Sequence, residues 1–123
     1  MSLKTEEPVL LDTEFLAKYT FGNYELESEV LHMFIDQAAL YLERLRTPKS
    51  TREWFEAAHS LKGSARGIGA FQVGMRAAQL EKTDEPLNSS VREAILSLLE
   101  ADLEKTRAAI LKHLDINSDA ILI

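Results

Sequence analysis

The chain contains no cysteine, which excludes a disulfide scaffold, a thiolate zinc site and a cysteine nucleophile, and agrees with a reducing compartment. It has no apolar run near the roughly 18 residues needed to span a bilayer. Residues 1–7 are polar, unlike a signal peptide. A cytoplasmic location and no membrane partner are therefore expected. Positive charge is in deficit: the formal net charge of -6 repels nucleic acid unless a strong basic patch intervenes, so no nucleic-acid partner is expected. Strand-like alternation is nearly absent, as are internal repeats, low-complexity tracts and any second domain. What remains is an ordinary globular composition, 46% hydrophobic and 28% charged, over 123 residues, enough for one domain with one modest core.

The apolar spacing predicts helices joined by short breaks. Asp12 suits the cap of a short first helix ending near Tyr19, broken by Thr20, Phe21, Gly22 and Asn23. Over residues 24–46, Leu26, Val30, Phe34, Ala38, Leu42 and Leu45 recur at spacings of three and four, one face of a long amphipathic helix. Pro48 ends it. Ser50 or Thr51 offers the next cap, and Glu53 completes a capping box if Ser50 is used. The third helix places Trp54, Ala58, Leu61, Ala65 and Ile68 inward and frays at Gly67 and Gly69.

A fourth helix over residues 70–82 turns Ala70, Val73, Ala77 and Leu80 inward, with Gly74, Ala77 and Ala78 small enough for close packing. The last, over residues 91–113, turns in Val91, Ile95, Leu98, Leu103, Ile110 and Leu114. Four substantial helices with short loops predict an all-α, antiparallel four-helix bundle, with the short first helix covering one end. The expected layout is an N-terminal tail over 1–11, the bundle over 12–114 and a C-terminal tail over 115–123, with Ile121, Leu122 and Ile123 candidates for docking back.

Four of the five glycines lie between Gly63 and Gly74. A glycine inside a helix costs about 1 kcal/mol relative to alanine, so Gly63 calls for an offsetting reason. One turn before it stands His59. At about 100° per residue, Phe55, His59, Lys62, Gly63 and Arg66 share a ridge beside the core stripe. A missing side chain at Gly63 leaves the imidazole uncovered for a second protein; close helix packing is the competing use. Lys62 and Arg66, with Arg76 on the next helix, supply cations suited to a phosphoryl group and to an acidic partner pocket. Histidine is a neutral nitrogen nucleophile near pH 7, its ordinary pKa being about 6.5. It needs only a group to hold the ring, for which Glu81 and Gln79 are the candidates. Phe71 and Met75 suit either an apolar docking rim or ordinary packing.

Other chemistry is poorly supported. The glycines of residues 63–69 lack the spacing of a phosphate loop and follow no strand. Three scattered histidines form no metal-ligand motif, and His32 and His113 read as surface residues. The acidic pairs Glu6-Glu7 and Asp84-Glu85 fall in termini or loops, where solvation explains them.

The run Ala58-His59-Ser60-Leu61-Lys62-Gly63-Ser64-Ala65, with Gly69 ten residues after the histidine, resembles the signature of histidine-containing phosphotransfer (HPt) domains. Gly22-Asn23-Tyr24-Glu25-Leu26 and Gln79-Leu80-Glu81 resemble the flanking helices of that family, and the similarity spans residues 12–113. The resemblance implies that His59 takes a phosphoryl group from a receiver-domain aspartate and passes it to another. Lys62 would interact with the group, and Gly63 would clear the docking surface. The family has no cofactor of its own; the Mg²⁺ belongs to the receiver. The implied partners are receiver domains of response regulators and hybrid sensor histidine kinases, met by a monomer without ATP-dependent kinase activity. The expected docking surface takes in Phe55, Arg66, Gly69, Phe71, Gln72, Met75, Arg76 and Gln79. Glu81 stands where some members carry glutamine, which sets a second negative group beside the phosphorylated form.

Two rivals share parts of this pattern. A helical adaptor that had lost transfer would keep the bundle, but would have little use for the Lys62-Gly63 pair. A histidine-kinase dimerisation domain uses two helices per chain and needs a separate ATP-binding domain, for which this chain has no room.

Overall fold

A computed structural model describes residues 9–122, with side chains through 117. The helices are α1 (Thr13–Thr20), α2 (Tyr24–Arg46), α3 (Thr51–Gly67), α4 (Phe71–Glu81) and α5 (Ser90–Leu122), with a 3-10 turn at Pro86–Asn88 before α5. No strand occurs among the described residues. Helices α2 to α5 each pack on their chain neighbours, and α5 closes the ring against α2. Short connections make neighbours antiparallel. Arg46 therefore meets Glu100 at one end of the α2–α5 seam, and Glu27 meets His113 at the other.

Local chemistry sets the helix ends. Asp12 accepts a hydrogen bond from the Phe15 N–H at 3.0 Å, and Asn23 accepts from the Leu26 N–H at 2.9 Å. Between these caps the chain reverses through two left-handed residues, Phe21 at φ 54° and Gly22 at φ 71°. Ser50 is the α3 cap, accepting from the Glu53 N–H at 3.0 Å. The Glu53 carboxylate reaches back to the N–H of Lys49, at 3.5 Å, instead of that of Ser50, so the expected capping box is displaced by one residue.

The core confirms the α3 and α4 stripes: Trp54, Ala58, Leu61, Ala65, Ile68, Ala70, Val73, Ala77 and Leu80 are all buried. The Trp54 indole N–H donates to the Leu80 carbonyl at 3.1 Å. That bond ties the start of α3 to the end of α4, and truncating such a side chain to alanine costs about 3–5 kcal/mol. At the opposite end of this pair, Gly69 turns the chain at φ 86°, and a Cβ there would lie 2.8 Å from the Asp12 carbonyl oxygen. The Asp12 N–H in turn donates to the Gly69 carbonyl at 2.9 Å. This junction and the Phe15–Phe71 contact hold α1 over the end of the bundle.

Three sequence expectations need correction. In α2, Leu31 and Glu27 are buried while Leu26 is exposed; in α5, Leu96, Leu99 and Thr106 are buried while Val91 and Leu98 face solvent. Both helices carry more apolar positions than one core can cover, so periodicity alone does not choose among adjacent leucines. Leu11 is buried, so the bundle begins before residue 12. Finally, residues 115–122 continue α5 as helix instead of forming a separate tail. Nothing in this stretch breaks the hydrogen-bond ladder, and the Asn117 amide donates to the His113 carbonyl at 2.8 Å. Residues 1–8 of the expected N-terminal tail lie outside the described residues, as do the side chains of Ile121 and Leu122 and the whole of Ile123.

Candidate functional site

Because α4 returns antiparallel to α3, its last residue, Glu81, comes beside the middle of α3. There one carboxylate holds two partners. Oε2 lies 2.7 Å from His59 Nδ1, and Oε1 lies 2.5 Å from Lys62 Nζ. Lys62 and Glu81 are mostly sheltered, whereas the His59 side chain is 70% exposed. The Lys62 ammonium holds the Glu81 carboxyl below its ordinary range; burial pushes the other way, and the His59 ring adds to the lowering. An ionised carboxylate only accepts, so Nδ1 carries the proton and Nε2 keeps its lone pair. Nε2 has no hydrogen-bond partner among the described residues.

A Cβ built on Gly63 meets nothing within 4 Å. The glycine therefore faces open space beside the imidazole and does not serve helix packing. That role belongs to Gly74, where a Cβ would stand 3.1 Å from Arg66 Cγ. Arg66 lies across α4 at that point, exposed and with no ion pair among the described residues. Phe55, Phe71 and Met75 are partly exposed, and Phe71 stacks edge-on against Phe15 with centroids 5.0 Å apart. These exposed apolar side chains lie on α3 and α4, the two helices that carry His59 and Glu81, with Arg66 an exposed cation on the same pair.

Other expected members of the surface are taken up by the fold. Arg76 donates to Asp102 of α5 at 2.8 Å, and Gln72 donates to the same carboxylate at 3.3 Å. Gln79 is exposed but accepts from Arg76 at 3.4 Å, which leaves the ring to Glu81. Gly69 is buried in the α1 junction. The sequence offers Glu81 only as one of two candidates; its pairing with Lys62, 19 residues away, lies beyond local spacing.

His32 is exposed and, among the described residues, bonded only to Ser28 of its own helix, as expected of a surface residue. His113 is not a surface residue: its Nε2 lies 2.9 Å from the buried Glu27, which also accepts from Thr20 Oγ1 at 2.7 Å. The glutamate sits 86 residues away on α2, beyond the reach of local spacing. Among the described residues no group of three or more His, Cys, Asp or Glu is placed to hold a metal ion, and no helix is long and apolar enough to cross a membrane.

The Hpt domain family model matches residues 29–109. The fold is similar to the crystal structure of histidine-containing phosphotransfer protein B (HptB) from Pseudomonas aeruginosa PAO1, with a TM-score of 0.78 at 18% identity over 89% of this chain and 97% of that one. No curated protein matches the sequence. The family match takes in α3 and α4 whole, with His59, Lys62, Gly63 and Glu81 among its residues, and the chain belongs to the Hpt domain family, the histidine phosphotransfer modules of phosphorelays.

Proposed function

We propose that His59 carries the phosphoryl group, on Nε2. The observation that carries this reading is the ring itself: exposed, held through Nδ1 by Glu81 at 2.7 Å, and uncovered on the Gly63 side. In uptake the Nε2 lone pair forms the N–P bond while the acyl P–O bond of a receiver's phosphoaspartate breaks, and the aspartate leaves as a carboxylate. Delivery to the next receiver reverses these steps. Lys62 and Arg66 supply the positive charge that the transferring group requires.

The partners are receiver domains of response regulators and of hybrid sensor histidine kinases. They dock transiently on α3 and α4, around an apolar centre of Phe55, Phe71 and Met75 with Arg66 at its edge. The receiver brings the Mg²⁺. The protein works as a cytoplasmic monomer with no ATP-dependent kinase activity, since one chain supplies all four bundle helices.

Intact mass after incubation with a phosphorylated receiver tests the reading, beside a His59→Gln control. One added phosphoryl group, acid-labile, base-stable and absent from the control, is expected. No addition across several receivers would leave a docking adaptor without transfer.

A further inference from the structure

Gly74 stands inside α4, where helix propensity favours alanine over glycine. Its backbone is ordinary helix, so conformation does not call for glycine. Space does: a Cβ there would lie 3.1 Å from Arg66 Cγ, tighter than carbon atoms normally approach. The backbone of α3 is not the obstacle, because the Lys62 carbonyl oxygen would be 3.8 Å away, an ordinary contact. The two helices would therefore pack as closely with alanine at this position. What needs the glycine is the stem of one arginine.

Arg66 differs from most of the other arginines. Arg46, Arg52, Arg76 and Arg92 each pair with a carboxylate, in a chain with 20 acidic residues against 14 Lys and Arg. Arg66 has no such partner among the described residues, and it is exposed. Its place in the last turn of α3 suits the negative end of that helix. That accounts for a cation at this position, but not for a glycine on the next helix that makes room for its stem.

Seven residues separate Arg66 from His59, about 10 Å along the helix axis, and its stem lies over Gly74 of α4. The guanidinium therefore stands to one side of the transfer point, at the rim of a surface centred on the ring. Resting on the carrier reading of His59, we propose that Gly74 is a positioning residue that seats Arg66 for a carboxylate at the rim of the receiver's phosphorylation pocket. An arginine held in place before docking loses less freedom on binding. Its planar fork pairs with a carboxylate through two parallel hydrogen bonds. A receiver with a neutral or basic side chain at that place docks less well, so Gly74 and Arg66 together select among receivers.

The probe is a receiver domain that phosphorylates the wild type. Arg66→Ala should raise the receiver concentration for half-maximal transfer about tenfold at low salt, and less at high salt. Gly74→Ala, by lifting the stem, should raise it about threefold, with the loss in that concentration and not in the rate at saturation. Added to Arg66→Ala, the Gly74→Ala change should have no further effect, since the group it positions is gone. Arg66→Glu should regain docking when one rim carboxylate of the receiver is exchanged for lysine.

A second readout needs neither transfer nor a receiver. Nitrogen-15 relaxation should show Arg66 Nε more ordered than Nε of Arg44 and Arg107, which also lack ion pairs among the described residues, and Gly74→Ala should remove the difference. An Arg66 as mobile as those two overturns the proposal and leaves the carrier reading intact. So does a Gly74→Ala loss that persists in full beside Arg66→Ala, or an Arg66→Glu that no receiver exchange rescues. Failure of the wild type to take up a phosphoryl group from any receiver overturns both.

Discussion

Among the described residues two histidine–glutamate pairs of nearly equal length serve opposite ends. His59 and Glu81 lie 2.7 Å apart with the imidazole side chain 70% exposed. His113 and Glu27 lie 2.9 Å apart with side chains only 19% and 8% exposed. In the first pair the contact uses Nδ1 and leaves Nε2 open. In the second it uses Nε2, while Nδ1 faces the Asn117 amide at 3.3 Å, so neither nitrogen is available. Glu27 also holds Thr20, which joins the end of α1, the first turn of α2 and the far part of α5. Reactivity here depends on which nitrogen is spent and which side of the ring is open, and not on the presence of a histidine–carboxylate pair.

Exchanging the two histidines gives the largest contrast. His59→Gln should abolish phosphoryl uptake, and His113→Gln should retain it, read by intact mass after exposure to a phosphorylated receiver. Next, Gly63→Phe should keep the helical circular-dichroism spectrum, because its Cβ points into open space. It should slow transfer from a receiver by about 100-fold, the order expected when docked groups are displaced by an ångström, in stopped-flow transfer assays.

Glu27→Ala strands the Thr20 hydroxyl and the His113 ring. It should lower the stability measured in urea by about 2 kcal/mol, with transfer rates unchanged. Removing the carboxylate of the other pair, by Glu81→Ala, should cost less than about 1 kcal/mol, because its imidazole partner is already exposed; equal losses would erase the distinction between the pairs. The smallest effect lies in acid. The folded-state pKa of Glu81 is depressed below 4.5, so its contribution is fully present above that pH and is lost as pH falls through the folded value. The stability difference between wild type and Glu81→Gln should be level near neutrality and change only below that point in pH-dependent denaturation.

Legibility from sequence followed the range of the interaction. The ridge of Phe55, His59, Lys62, Gly63 and Arg66 lies within four turns of one helix, so spacing alone aligned it. The caps at Asp12 and Ser50 are equally local. The neutralising partner of Arg76, Asp102, stands 26 residues away on α5, beyond the reach of local spacing. Leu96 and Leu99 face inward where the spacing predicts Val91 and Leu98, because the absolute rotation of α5 is set by the helices it packs against. In α3 the polar positions around Trp54 and Leu61 leave a single stripe able to turn inward, and that stripe is buried.

By itself the sequence determined the all-helical order, the breaks between helices and the one histidine with an uncovered flank. These follow from backbone propensities, turn chemistry and a periodicity of 3.6 residues, all of which act between near neighbours. Tertiary structure alone decided that Glu81 grips both His59 and Lys62, that Asp102 pairs with Arg76 and that the half-buried His113 meets Glu27. Each of those outcomes depends on the register and rotation of one packed helix against another, which pair residues that the chain itself holds far apart.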